Sequence, residues 1–189
     1  HVGGEAAKMA ARMGGEVFLS DISQKRRSEL KEEFRLLGLK IELINPTDQK
    51  NYEKALVSSD VIIACVHARG KRAPMIIDSM LLGKITAMKK KIILDIAIDQ
   101  GGNVAESRPV DYENPLYLDS FGNLRFAVTN IPSLCGRGAS VVLEKVSLNY
   151  TLALSEGLEV AIRRYPELKG GLNVLKGEIV HPAVGEAYL

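Results

Sequence analysis

The chain has little cysteine, no long apolar run and almost no excess of either charge. Cys65, in a strand-like stretch, and Cys135, in a glycine-rich turn, are its 2 cysteines among 189 residues. Two such positions exclude a disulfide framework, and neither stands in a metal-ligand spacing. Both are expected as reduced thiols, Cys65 as a small hydrophobe rather than a nucleophile. Apolar stretches run about six to nine residues between charges, short of the roughly 20 that a membrane helix needs, and no signal-peptide pattern opens the chain. The expected setting is the cytoplasm, with no membrane partner. Lys and Arg number 25 and Asp and Glu 23, a formal net charge of +2. Basic residues alternate with acids, as in Lys25-Arg26-Arg27 followed by Glu29 and Glu32-Glu33, so nucleic acid is not an expected partner. His67 stands alone at a strand end, without the second ligand that a metal site requires. What remains is an ordinary globular composition, 46% hydrophobic and 25% charged.

Strand and helix patterns alternate along the chain, which implies βαβ units around a parallel sheet. The alanine-rich stretch Glu5 to Met13 reads as a helix stopped by Gly14-Gly15. Glu16 to Ser20 reads as a strand closed by Asp21, and Ser23 as the cap of a helix running to about Leu37. Lys40 to Ile44 is a second strand, followed by a short helix with Tyr52, Leu56 and Val57 on one face. Asp60 to Val66 and Lys91 to Ile98 have the β-branched richness of strands buried on both faces, and the segment 69–90 between them reads as loop and short helix. Asn103 to Gly122 carries turn residues at short intervals and is expected as a long surface excursion, its Tyr112, Tyr117 and Phe121 packing it down. Leu124 to Thr129 returns as a strand. A composition shift near Cys135-Gly136-Arg137-Gly138 marks a junction, beyond which the pattern is helical with no further sheet strand. The expected division is therefore 1–136 and 137–189.

Two carboxylates stand out. Asp99, in Asp95-Ile96-Ala97-Ile98-Asp99-Gln100-Gly101-Gly102, falls where a buried strand opens into two glycines that let backbone approach a ligand. In open α/β sheets ligands bind beyond the carboxyl ends of the strands, so Asp99 either meets a bound molecule or caps the following turn. Asp21 closes the Glu16 to Ser20 strand, 18 residues after Gly3. His1-Val2-Gly3-Gly4-Glu5-Ala6-Ala7 runs into its helix like the end of a G-x-G-x-x-G dinucleotide fingerprint whose first two glycines and strand would lie upstream; an alanine-rich helix start is the plainer reading. Taken with Asp21, which sits near where an acid bonds the adenosine ribose and repels a 2′-phosphate, the stretch points to NAD rather than NADP.

These residues resemble a known family, the alanine dehydrogenases and the homologous NAD(H)-binding component of nicotinamide nucleotide transhydrogenase. The resemblance is carried by the opening stretch, by Gly70-Lys71-Arg72-Ala73-Pro74, by Asp95 to Gly102 with Glu106-Ser107-Arg108-Pro109, by Thr129-Asn130-Ile131-Pro132 and by Gly171-Leu172-Asn173. It covers nearly the whole chain and leans to the dehydrogenase branch. The fold it implies is a Rossmann-like doubly wound parallel sheet with its first strand outside the chain, a gap that makes the domain marginal or dependent on a partner, followed by a helical segment returning to a substrate domain.

The implied activity is reversible oxidative deamination of L-alanine, or a related small 2-amino acid, to the 2-oxo acid and ammonia, in a homo-oligomer. The implied cofactor contacts are Val2 and Gly3 of the opening stretch, Asp21 on the adenine ribose with Arg26 nearby, Val66 and His67 after their strand, and Ile96, Ala97, Ile98 and Asp99 with Val128, Thr129, Asn130 and Ile131 around the nicotinamide half, Arg108 close by. Asp99 is also the implied catalytic carboxylate, handling the attacking water or ammonia. The family's histidine, lysine and arginine that hold substrate come from the other domain. Two alternatives stand beside this reading: the NAD(H)-binding component of a proton-translocating transhydrogenase, and a non-catalytic nucleotide-binding fragment.

Overall fold

Parallel strands joined by helices carry the first two-thirds of the chain. The computed structural model describes residues 2–68 and 70–188; His1, which opens the fingerprint stretch, and Arg69 lie outside the described residues. The described chain divides into two units, one running to His67 and again over Ala73–Thr129, the other comprising Ala68–Arg72 with Asn130 onward.

In the first unit, α1 (Val2–Arg12) ends at Gly14, whose φ of +85° is the left-handed turn that glycine allows. β1 (Phe18–Ser20), α2 (Gln24–Leu36) and β2 (Glu42–Ile44) follow. Ser23 caps α2, its Oγ accepting the Arg26 N–H at 3.2 Å. β1 and β2 pair in parallel, Leu19 opposite Leu43, over a small core of Ala7, Leu30 and Phe34. Lys8 of α1 bridges to Glu33 of α2 at 2.5 Å, tying the two helices across this core.

α3 (Gln49–Ser58), β3 (Val61–Ala64), α4 (Ser79–Thr86) and β4 (Ile92–Asp95) then lead to β5 (Leu116–Leu118) and β6 (Leu124–Phe126). The sheet order is β3-β4-β6-β5, parallel except for the edge pair β5-β6. Its core gathers Leu56, Ile62, Ile77, Leu82, Ile85, Ile93 and Val104. α1 touches both β1 and β3 and so spans the two sheets. β3 has no strand partner on its outer side among the described residues, and Val61 and Ile63, which share one face of the strand, remain 48% and 39% exposed. With helices packed on mostly parallel strands, this is the Rossmann-like α/β class expected from the alternation of patterns.

Three local expectations change. β4 stops at Asp95 rather than Ile98, because the Asp95 carboxylate accepts the Ala97 N–H at 3.2 Å and turns the chain out of the sheet. The excursion 103–122 is not a surface loop throughout: Asn103, Val104 and Ala105 are buried, and β5 sits within it. Phe121 does pack it down, against the core beside Gly83. Val57 is 41% exposed, off the buried face formed by Ala55 and Leu56.

The second unit is built on α5 (Gly136–Ser155) and α6 (Leu158–Arg164), joined by a turn in which Gly157 has φ +111°. Ala153 of α5 and Ala161 of α6 are both fully buried. Tyr150 and Tyr165 meet edge to face at 4.9 Å. The tail also holds a hairpin, β7 (Val174–Leu175) and β8 (Glu178–Ile179), where no strand was expected. Its turn uses positive φ at both Lys176 and Gly177, the geometry of a tight two-residue hairpin. α7 (Pro182–Tyr188) closes the unit, with Lys71 paired to Glu186 at 2.6 Å.

Candidate functional site

The carboxyl ends of β3 and β4 meet the start of α1 around a cavity of about 220 Å³, lined by Val2, Cys65, His67, Ile96, Ala97, Asp99 and Gln100. Three sequence segments, each leaving or entering a regular element, supply these side chains. Gly3 lets the helix start so close: a Cβ on it would lie 2.9 Å from Cys65 Sγ. Asp99 rides on a single 3₁₀ turn, Ile98–Gln100, closed by Gly101 at φ +96°. Gln100 Nε2 stands 2.8 Å from His67 Nε2, joining the amide to the imidazole. Burial pushes the Cys65 thiol above its ordinary pKa, which keeps it protonated and unreactive. A second hollow, about 610 Å³, lies along α2 and β2 and contains none of the residues singled out in the sequence.

Beneath the cavity runs a buried polar network. Asp95, 1% exposed, accepts the backbone N–H groups of Ala97, Asn103 and Val104 and the Ser107 hydroxyl, the last at 2.5 Å. One carboxylate thus holds both ends of the 96–104 loop. Ser107 Oγ accepts from Arg125 Nη2 at 2.6 Å, and Arg125 Nη1 bonds Asp119 Oδ2 at 3.0 Å with both side chains fully buried. Burial pushes the Asp119 carboxyl up, but hydrogen bonds from the Asn123 side chain and backbone, together with the Arg125 guanidinium, outweigh it and hold the group below its ordinary pKa.

Of the residues expected at the site, Val2, His67, Ile96, Ala97 and Asp99 line the cavity, and Gly3 abuts Cys65. Ile98 and Val128 are 5% and 1% exposed, their side chains committed to the core. Val66 stands between the lining residues Cys65 and His67, its backbone held by Asn103. Asp21 follows β1, Oδ1 accepting the Ser23 N–H at 2.8 Å, and Arg27 Nη1 donates to the Asp21 carbonyl at 2.6 Å. Arg26 pairs with Glu29 at 3.2 Å and reaches within 3.9 Å of a Cβ built on Gly4, beside the start of α1. Arg108 lies over the Tyr117 ring at 4.3 Å. The Thr129 N–H donates to Val110 at 3.4 Å. Asn130, at φ +54°, and Ile131 open the second unit.

Sequence reasoning missed Cys65 and Gln100 as lining residues, and Asn103 beneath them. Gln100 was within reach, because it sits between Asp99 and the glycine pair. Cys65 reads from the sequence as one more apolar strand residue, and its place at the cavity follows from β3 ending one residue earlier.

The comparisons with known proteins agree in kind. The family model described as "Alanine dehydrogenase/PNT, C-terminal domain" matches residues 1–182. Alanine dehydrogenase from Methanococcus maripaludis is 32% identical over 189 residues, covering 99% of this chain and 49% of its own. That of Staphylococcus haemolyticus is 33% identical over 191 residues, covering 98% and 48%. A solved L-alanine dehydrogenase superposes with a TM-score of 0.76 at 31% identity over 97% of this chain and 49% of its own. A transhydrogenase from Sinorhizobium meliloti shares the fold at a TM-score of 0.60 and 18% identity, over 96% and 47% of the two chains. The chain spans about half the length of the curated relatives it matches.

Proposed function

The chain belongs to the alanine dehydrogenase/PNT C-terminal domain family, and from that premise we propose that it is the NAD(H)-binding part of an oxidoreductase acting on a small 2-amino acid. L-Alanine, with pyruvate and ammonia as products, is the first candidate substrate. The observation that carries this reading is the cavity itself: α1, the end of β3 and the turn after β4 bring Val2, His67, Ile96, Ala97 and Asp99 to one place. The proposed extent of the cofactor-binding part is 1–136, with 137–189 returning to a substrate domain. The proposed assembly is a cytoplasmic homo-oligomer. Among the described residues no helix is long and apolar enough to cross a membrane.

The residues present suit a dinucleotide. Gly3 keeps the start of α1 clear of a Cβ that would collide with Cys65, the close helix–strand packing that the third glycine of a dinucleotide fingerprint provides. Asp21, fixed by Ser23 and Arg27, offers a carboxylate to the ribose hydroxyls. NAD, when bound, supplies the hydride chemistry. Val2, Ile96 and Ala97 form the apolar wall of the cavity. The Gln100–His67 hydrogen bond orients the imidazole at the rim. Asp99, on its rigid turn, accepts a proton from the attacking water in one direction and orients ammonia in the other.

The test is NADH and NADPH binding by fluorescence or calorimetry on the full-length protein, followed by pyruvate and ammonia while NADH consumption is recorded. The expected result is NADH binding, weaker NADPH binding and turnover. Asp99→Asn should lower kcat by roughly 10²–10⁴-fold while the NADH Kd moves little; an equal loss of both would remove Asp99 from the chemistry. NADH binding without turnover on any 2-oxo acid would point instead to hydride exchange with a protein partner, and no binding would end the cofactor reading.

A further inference from the structure

β3 and β4 run in register as far as Ala64 opposite Asp95, and the last ladder bond is Ile96 N to Ala64 O at 2.8 Å. Beyond it β4 turns away, while the other chain continues through Cys65, Val66 and His67 with no strand beside it. Its backbone N–H and C=O need partners. Asn103, 0% exposed, supplies them. Its Oδ1 accepts the Val66 N–H at 2.8 Å, and its Nδ2 donates to the Val66 carbonyl at 3.0 Å. A side-chain amide thus takes the place that a neighbouring strand's peptide groups would hold.

The same residue reaches further. Its second amide hydrogen goes to the Pro74 carbonyl at 2.9 Å. Its backbone N–H goes to Asp95 Oδ2 at 2.8 Å, and its carbonyl accepts from Ile76 and Ile77. One wall of the cavity is Cys65 and His67, on either side of Val66; another is Ile96, Ala97, Asp99 and Gln100, inside the loop whose ends Asp95 holds. Both walls hang on Asn103.

We propose that Asn103 is a positioning residue for cofactor binding, setting the distance between the strand end at Val66 and the Asp99 turn through its paired hydrogen bonds to the Val66 backbone. It touches neither cofactor nor substrate. Its effect on binding rests on the NAD(H) assignment above; its effect on the Val66 backbone does not.

Asn103→Leu in the full-length protein keeps the branched side-chain shape, with bulkier methyl groups, and removes all three side-chain hydrogen bonds. Two quantities are read: hydrogen exchange over residues 61–68, with 92–95 as the internal control, and the NADH Kd against kcat. Positioning predicts faster exchange at 65–67 with 92–95 unchanged, and an NADH Kd raised about tenfold, the scale of one or two lost buried hydrogen bonds. A residue that served stability alone would lower the folded fraction, and kcat with it, while the folded protein kept its NADH Kd. Unchanged exchange at 65–67, or an unchanged Kd in folded protein, overturns the proposal. If Asn103→Leu does not fold, Asn103→Ser gives the same two readouts, because the hydroxyl is too short to pair with both Val66 groups. If the unmodified protein fails to bind NADH, the function reading falls, and the exchange measurement still decides whether Asn103 positions the strand end.

Discussion

Two loops, one after β1 and one after β4, each present a carboxylate at the carboxyl end of a strand, and they are held in opposite ways. The Asp21 carboxylate is fixed by the Ser23 N–H, two residues on, while the Arg27 guanidinium holds its carbonyl and a backbone bond to the Ile44 carbonyl ties the residue to β2; it sits half-buried at the rim of its sheet. Asp99 rides on a loop fastened from below by Asp95, Asn103, Ser107 and, through Ser107, by Arg125 and Asp119, across as many as 37 residues of sequence. The proposed roles match. A group that selects a cofactor by charge tolerates some play, because Coulomb interactions fall off gradually. A group that moves a proton at a reacting carbon needs placement within fractions of an ångström. The deeper anchoring lies under the turn assigned to the chemistry.

The comparison breaks first at Asp119. Asp119→Ala leaves Arg125 charged and fully buried without its carboxylate, and removing one partner of a buried pair costs about 3–5 kcal/mol. Denaturant unfolding of the full-length protein should show a loss of that size, with the Asp99 loop loosened. A cost under about 1 kcal/mol would mean that the network does not hold the loop. The pH dependence has a definite sign. Asp119 is held below its ordinary pKa of 3.8, so its contribution is complete above that value and is lost as pH falls through the lower folded-state pKa. Asp119→Asn, which titrates nowhere, should flatten that part of the acid-unfolding curve.

The same contrast explains what could be read before any coordinates. Much that is local was legible: Ser23 as a cap, Gly14 as a helix stop, Asp21 at the close of β1, the apolar runs that became β3 and β4, and α5 beginning at the expected junction. Asp99 and Asp21 were found because their signal is positional, a carboxylate where an apolar run ends. The buried network was not legible. Asn103, Asp119 and Asn123 are polar residues among turn formers and Arg125 is a lone charge in an apolar strand run, and sequence pattern assigns such residues to solvent. Side-chain hydrogen bonds turn them inward: Asp95 takes the Asn103 N–H, and Asp119 is held by Asn123 and Arg125. β5 escaped for a related reason: Leu116 and Leu118 are 53% and 68% exposed at the sheet edge, so its three residues carry no inward apolar face. The β7-β8 hairpin has only two residues per strand, all exposed.

A smaller effect sharpens the contrast at two glycines. Gly102 and Gly38 both adopt positive φ, +79° and +66°, but a Cβ on Gly102 would lie 2.9 Å from Asp95 Oδ2, whereas one on Gly38 would meet nothing within 4 Å. Gly38→Ala should therefore cost only left-handed strain, about 1–2 kcal/mol. Gly102→Ala adds a collision with a carboxylate that holds four donors and has no room to retreat, so the cost should rise to about 2–4 kcal/mol. Activity should fall with Gly102→Ala and not with Gly38→Ala. Thermal unfolding and turnover on the pair separate backbone strain from damage to the anchor, and equal costs would show that Asp95 can move.

The smallest expected effect is at Asp21, and it is the sharpest test of the soft loop. Asp21→Asn keeps the shape and an oxygen able to accept the Ser23 N–H, and it removes the charge that would repel a 2′-phosphate. Arg26 and Arg27 stay nearby, and the Arg27 guanidinium already points at the Asp21 carbonyl. With the carboxylate gone, that local charge turns positive. Stability should not change measurably, since the group is neither fully buried nor part of the network. The ratio of NADPH to NADH affinity should rise about tenfold, or about 1.4 kcal/mol, chiefly through tighter NADPH binding. Fluorescence titration with both cofactors measures it. A ratio that stays put would reduce Asp21 to a turn former, and the cofactor preference would then have to come from the helix that follows. A ratio that moves while the unfolding midpoint does not would show that this loop carries selectivity without carrying the fold, as the Asp99 loop cannot.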